Sequence, residues 1–94
     1  MNGLPPLADA LPIFETSVKE LENVIPGLQG LSPSAAQKDE FLEILLHRCR
    51  EAKFQLDSIG MMKDAHPGEP ELASLYKRHS KSYEQIKAVY DSLK

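Results

Sequence analysis

The residues that could perform chemistry in this chain are one cysteine and three histidines. Cys49 would need a neighbouring base to act as a nucleophile. His47 lies two residues away, on a different face of a helix, and His79 could approach Cys49 only across a bundle of helices. The sequence favours Cys49 as a small core residue, because free cysteine is among the most buried residue types. We predict no catalytic residue and expect that the protein is not an enzyme.

The histidines also lack the spacing of a metal site. None of His47, His66 and His79 lies three or four residues from another, and no cysteine pair supports them. His79 falls in a row of apolar residues, where a histidine is most often an interior or boundary residue with its hydrogen bonds made. The sequence has no glycine-rich phosphate loop. We therefore predict neither a metal nor a cofactor.

The most basic stretch of the chain consists of Lys77, Arg78, His79 and Lys81. Charged runs on helices usually form a solvated face. The alternative is contact with an acidic protein or with anionic lipid headgroups, so a membrane contact also stays open. The first helical segment is acidic, and the basic stretch could instead complement that segment or a second copy of the chain. We take Lys77, Arg78 and Lys81 as the candidate partner-binding residues.

Three segments with helical periodicity must position these residues, and the central one, 35–64, is the longest. Its apolar or small residues recur three and four positions apart, at Leu42, Leu45, Cys49, Ala52, Leu56 and Ile59. This apolar stripe is widened by Phe41, Ile44 and Met62. The segment 32–34 supplies a helix start and Pro67 a stop. Gly60 costs about 1 kcal/mol against alanine inside a helix, so the sequence predicts a looser helix there.

The first segment has its own apolar seam, at Leu7, Leu11, Phe14, Val18, Leu21, Ile25 and Leu28. Pro12 interrupts this seam, because proline removes a backbone donor and crowds the carbonyl four residues back. The sequence therefore predicts a short helix over about 5–11, a kink or a break near Pro12, and a main helix over about 12–24. Pro26 then favours a helix stop. Residues 1–4 are expected to be loosely held.

The third segment, 70–93, repeats the same spacing at Leu72, Tyr76, His79, Tyr83, Ile86, Tyr90 and Leu93. No segment shows the alternating pattern of a β-strand. Three amphipathic helices with short connections predict an all-α fold, an antiparallel up-down-up three-helix bundle. We expect the whole chain, 1–94, to form this single domain.

The composition limits the class of protein. A chain of 94 residues with 41% apolar and 27% charged residues is typical of one globular domain. The net charge of −3 argues against nucleic-acid binding, which requires a basic surface. A single cysteine fits a reducing compartment, and we see neither a signal peptide nor an apolar run of the ~20 residues that span a bilayer. The protein is expected to be cytoplasmic.

Two segments together resemble a known family. They are GLPPLADALPIFETSVKEL (3–21), with two Leu-Pro pairs ahead of a longer helix, and LEILLHRCREAKFQLDSI (42–59), with a central cysteine followed by Ala-Lys and Leu. In this order they resemble the SesA-like helical N-terminal domain that precedes the NTPase module of fungal NACHT or STAND (NLR-like) proteins. The resemblance implies a non-catalytic effector or adaptor domain that relays activation, in non-self recognition, to programmed cell death.

The chain is also similar to the N-terminal three-helix domains of SNARE proteins. The similarity lies in the three long amphipathic helices, with KRHSKSYEQIKAVYDSLK (77–94) as the third. It implies a regulatory module of membrane traffic that folds back on a partner helix.

The sequence thus predicts a helical protein–protein interaction module in signalling, with the regulatory domain of a SNARE or another membrane-traffic protein as the alternative. We expect protein partners and no nucleic acid. Three heptad seams on one small chain also predict an apolar groove left uncovered, and with it a homo-oligomer.

Overall fold

The computed structural model describes residues 6–94. In that range the chain forms three α-helices and no strand: α1 over Leu7–Gln29, α2 over Lys38–Ala65 and α3 over Pro70–Leu93. The predicted all-α fold is confirmed, and the predicted bounds of the third helix agree with those of α3. The expectation for residues 1–4 lies outside the described residues.

Helix α1 is continuous through both of its internal prolines. It begins after Pro6 and ends at Gln29, so a break at Pro12 and the predicted end near residue 24 are wrong, whereas a kink at Pro12 stays a prediction. Pro12 and Pro26 both lie on the exposed side of α1, where water can satisfy the carbonyls that lose a partner. The opposite side is buried along the whole helix, and this packing holds the segments before and after each proline in one helix.

Helix α2 is also continuous, and Gly60 has a packing role in it. A Cβ atom at Gly60 would lie 3.2 Å from Cε1 of Tyr76, so the missing side chain lets α3 approach closely. The helix starts at Lys38, three residues later than predicted, because residues 35–37 form a turn closed by the Gln37 N–H bond to the Ser34 carbonyl at 3.0 Å. No cap by a side chain is made there.

The core consists of two clusters of buried side chains. One cluster joins the first half of α1, the end of α2 and the start of α3, through Ala10, Phe14, Val18, Ile59, Met62, Leu72 and Leu75. The other joins the second half of α1, the first part of α2 and the second half of α3, through Leu21, Ile25, Leu45, Ala52 and Ile86. Nearly all of these residues lie on the apolar seams that the sequence predicts. Full burial of one such leucine or isoleucine stabilises the fold by about 1.5–3 kcal/mol.

The three helices do not pack equally. Helix α3 packs extensively against both α2 and α1, whereas α1 and α2 touch each other at few residues. The result is an elongated molecule of 48 × 24 × 18 Å. None of the three helices is long and apolar enough to cross a membrane.

Candidate interaction groove

The limited contact between α1 and α2 leaves a groove along one side of the bundle, which we call the α1–α2 groove. Its walls include Ser17 and Glu20 from α1 and Arg48 and Gln55 from α2. Its floor is reached by His79 of α3, alongside the buried side chains of Leu21 and Ala52. The groove has a volume of about 540 Å³ and is open to solvent.

The polar group at the floor of the groove is the His79 imidazole. The residue is 2% exposed, and its Nε2 lies 3.2 Å from the Ala52 carbonyl oxygen. Because a carbonyl oxygen only accepts hydrogen bonds, this contact assigns the proton of the neutral ring to Nε2 and leaves Nδ1 as an acceptor. Nδ1 is buried and has no hydrogen-bond partner among residues 6–94. The expectation of an interior histidine is confirmed, but only one of its nitrogens has a partner.

Burial also sets the titration of His79. Desolvation of the ring lowers its pKa below the ordinary value of 6.5, because the charged form loses its hydration. The hydrogen bond to the Ala52 carbonyl and the nearby Glu22 carboxylate oppose this effect without reversing it. At neutral pH the ring is therefore uncharged, and Nδ1 is available to accept a hydrogen bond.

The large exposed apolar side chains belong to α1, α2 and the loop between them, and none belongs to α3, within the part of the chain that is described. They are Ile13, Leu31, Ile44, Phe54 and Met61. Leu31 and Ile44 line a second, shallower depression of about 320 Å³ with Pro33 and Phe41, near the start of α2. Scattered single exposures of this kind are common; of the five, Phe54 lines the α1–α2 groove itself.

The charges of α1 divide into paired and free groups. Glu15 pairs with Lys19 at 3.0 Å, and Glu22 pairs with Arg78 of α3. Asp9 and Glu20 form no ion pair within residues 6–94, and their separation of 11 residues places them on the same side of the helix. Since Glu20 lines the α1–α2 groove, the α1 edge of the groove carries free negative charge.

The candidate partner-binding residues are not brought together. Nη2 of Arg78 donates to Oε1 of Glu22 at 2.6 Å, and Nε donates to Oε2 at 3.1 Å, so the guanidinium binds α1 through two parallel hydrogen bonds. This contact lowers the pKa of Glu22, chiefly through the hydrogen bond. Lys77 and Lys81 are exposed on α3 and form no ion pair in the described chain. Arg78 thus complements the acidic first helix, one of the roles that the sequence left open for the basic stretch.

The residues considered for chemistry lie apart as well. Cys49 is half-buried against the second core cluster, and burial raises the pKa of its thiol. The exposed His47 ring lies 3.6 Å from the Glu51 carboxylate. Among residues 6–94, no three His, Cys, Asp or Glu side chains are grouped so that they could hold a metal ion.

Sequence reasoning did not identify the residues of the groove. Ser17, Glu20, Arg48 and Gln55 are ordinary polar residues beside an apolar seam, and nothing in their spacing separates them from a solvated face. One usable signal was present: His79 is the polar member of an otherwise apolar or aromatic row. Comparison with protein-family models, with curated proteins and with solved structures finds no match to this chain.

Proposed function

We propose that this protein is a non-catalytic helical interaction module and that it binds other proteins through the α1–α2 side of the bundle. One observation carries this proposal: α1 and α2 contact each other at few residues and separate over a groove that is open to solvent. The exposed apolar side chains beside the groove supply contact area. Helix-in-groove recognition uses this combination of an apolar channel and a few directed polar groups.

We also propose how the three helices are arranged and in which cellular role the module acts. An antiparallel, up-down-up bundle is supported by the membership of the two core clusters, each of which joins the start or the end of α2 to the opposite ends of α1 and α3. A signalling role as effector or adaptor, in the cytoplasm and of the NLR-like kind, rests on the resemblance to SesA-like domains. In such a role, recruitment of a partner is the activity.

The groove also supports a second candidate function, that of a regulatory three-helix domain of a SNARE or another membrane-traffic protein. Such a module would hold a partner helix against its surface, and a channel between two helices suits that task. The two candidates share the binding mode and differ in the partner.

The proposed function is tested by selecting a displayed library of 21-residue amphipathic helices against the folded protein. Binders are then measured against Ile44→Ser, which removes an exposed apolar side chain of the α1–α2 side, and against Lys81→Ser, which changes an exposed residue of α3 outside the groove. Binding weakened about tenfold by Ile44→Ser alone supports the proposal. No binders, or binders that only Lys81→Ser weakens, would refute it, and the latter would favour the basic residues of α3.

A further inference from the structure

Helix α2 carries a row of exposed side chains on the face that points away from the core, and we call this row the α2 stripe. It consists of Ile44, His47, Glu51 and Phe54, which recur three and four positions apart and therefore share one side of the helix. Ile44 is 49% exposed and Phe54 is 71% exposed. The stripe thus has a large apolar side chain at each end and two titratable side chains between them.

The charges of the α2 stripe are only partly matched within the chain. The Glu51 carboxylate lies 3.6 Å from the His47 ring, which carries a charge only when it is protonated. Arg48 is exposed beside the stripe and forms no ion pair within residues 6–94. Arg48 and Glu51 line one open depression together with Ile44. This face of α2 therefore offers an unpaired cation and an anion about one helical turn apart.

We propose that a second copy of this chain docks on the α2 stripe, with the two α2 helices antiparallel about a two-fold axis near residue 49. Ile44 of each copy then packs on Phe54 of the other, and Glu51 of each copy meets Arg48 of the other. This inference rests on the proposed function, because Arg48, Glu51 and Phe54 also line the α1–α2 groove and the second copy is the partner that binds there.

The order of residues in the stripe favours this antiparallel pairing. Ile44 and Phe54 lie equally far from position 49 on either side, and so do His47 and Glu51. A two-fold axis at that position therefore sets an apolar side chain against an apolar one, and an imidazole against a carboxylate. A parallel pair in register would instead set Glu51 against Glu51, and like charges in contact oppose association.

The same axis supplies the charge partner that Glu51 lacks. It places Arg48 of one copy within about 1.5 Å, along the helix axis, of the level of Glu51 in the other copy. Because the interface is two-fold symmetric, this contact occurs twice. The two Arg48 side chains also approach each other across the axis, and the two Glu51 carboxylates offset their repulsion.

The length of the stripe sets the expected affinity. Residues 44–54 span only about 15 Å of helix, so the contact is smaller than a standard protein–protein interface. We therefore expect a reversible dimer with a dissociation constant on the order of 100 µM.

The test is the molar mass of the chain in solution, measured by light scattering between about 20 µM and about 1 mM. The variants Glu51→Arg and Arg48→Glu each bring like charges together, so each alone should dimerise at least about tenfold more weakly than the unchanged chain. An equimolar mixture of the two variants should dimerise again, because positions 48 and 51 then carry opposite charges in both contacts. Lys77→Glu is the control, an exposed change on α3 that should leave the dissociation constant unchanged. The melting temperature of each variant shows that it is folded.

Each other outcome overturns the inference. A monomer at about 1 mM would show that no second copy binds. A dimer that neither charge reversal weakens would place the interface elsewhere, and a mixture of the two variants that stays monomeric would show that positions 48 and 51 do not meet. Failure of the proposed function is distinct from these results: a monomer that binds the selected helices loses only the second copy as its partner, whereas a monomer that binds none of them loses both.

Discussion

The ion pair between Glu22 and Arg78 joins α1 to α3 but contributes little to the free energy of unfolding at neutral pH. The two side chains are 36% and 39% exposed, so solvent screens their attraction. We expect Glu22→Gln to lower the free energy of unfolding by less than about 1 kcal/mol at pH 7. Glu20→Gln is the matched control, since Glu20 forms no ion pair among residues 6–94.

The pKa of Glu22 determines how the difference in free energy of unfolding between Glu22→Gln and the unchanged protein depends on pH. Arg78 lowers this pKa below 4.5, so the contribution of the pair is complete above pH 4.5 and is lost as pH falls through the folded-state value. Urea unfolding followed by circular dichroism at pH 7 and pH 3 should therefore show a smaller difference between Glu22→Gln and the unchanged protein at pH 3. A larger difference at pH 3 would contradict this account.

His79 makes the fold sensitive to mild acid. Its folded-state pKa lies below 6.5, so the unfolded chain takes up the proton first and the free energy of unfolding falls as pH drops below about 6.5 towards the folded value. One proton gives a slope of at most about 1.4 kcal/mol per pH unit. Of the charged groups, the Glu22 carboxylate of α1 acts on the ring, and Glu20, Arg48, Arg50 and Glu51 line the groove with it.

The measurement is chemical unfolding between pH 7.5 and pH 5. We expect His79→Gln to remove much of the decline over this range, because it cannot take up a proton. His47→Gln serves as the control, since the His47 side chain is 75% exposed. An equal effect of the two substitutions would show that burial of His79 is not the cause.

For single residues, the sequence could predict which are buried but not which polar atoms have hydrogen-bond partners. The row of apolar residues around His79 was enough to place it in the interior. Whether Nδ1 has a donor depends on which side chains the assembled bundle places beside it, and none within residues 6–94 donates to it. The same holds for Arg78, whose partner Glu22 lies 56 residues away in the chain.

Among the helices, two glycines within helical segments have different neighbours. A Cβ atom at Gly27 in α1 would meet nothing within 4 Å, whereas at Gly60 in α2 it would lie 3.2 Å from the Tyr76 ring. We expect Gly27→Ala to raise the free energy of unfolding by about 0.5–1 kcal/mol, because alanine is the better helix former. Gly60→Ala should gain less or lose stability, because the Tyr76 ring must move.

Thermal unfolding of the two variants checks this difference, and Tyr76→Ala provides the control. In the Tyr76→Ala background the obstruction at Gly60 is gone, so Gly60→Ala should become stabilising there. If Gly60→Ala raised the free energy of unfolding as much as Gly27→Ala does, with Tyr76 unchanged, this result would contradict the close approach of α3 to Gly60.

Helix boundaries were predicted well where local signals and packing agree and poorly where they conflict. Pro70 opens α3 and the chain ends its helical pattern at Leu93, as predicted. At Pro12 and Pro26 the local preference for a break is opposed by a seam of buried residues on the other side of α1, and the seam prevails. Periodicity over seven positions is thus a better guide to α1 than either proline.

For the molecule as a whole, the unequal packing of the helices predicts unequal stability. Helices α2 and α3 pack extensively on each other, whereas α1 is held mainly by α3. In native-state hydrogen exchange we expect the amides of α1 to open with a lower free energy than those of α2 and α3. Equal protection of all three helices would mean that the bundle opens as one unit, contrary to this expectation.

The burial of the His79 ring links unfolding of the bundle to the uptake of a proton. The folded-state pKa of the ring lies below 6.5, so in mildly acidic solution the unfolded chain binds a proton that the folded chain does not. The heat of unfolding would then include the heat of deprotonating the buffer. Calorimetry at one pH in two buffers with different ionisation enthalpies would therefore show how much proton uptake accompanies unfolding.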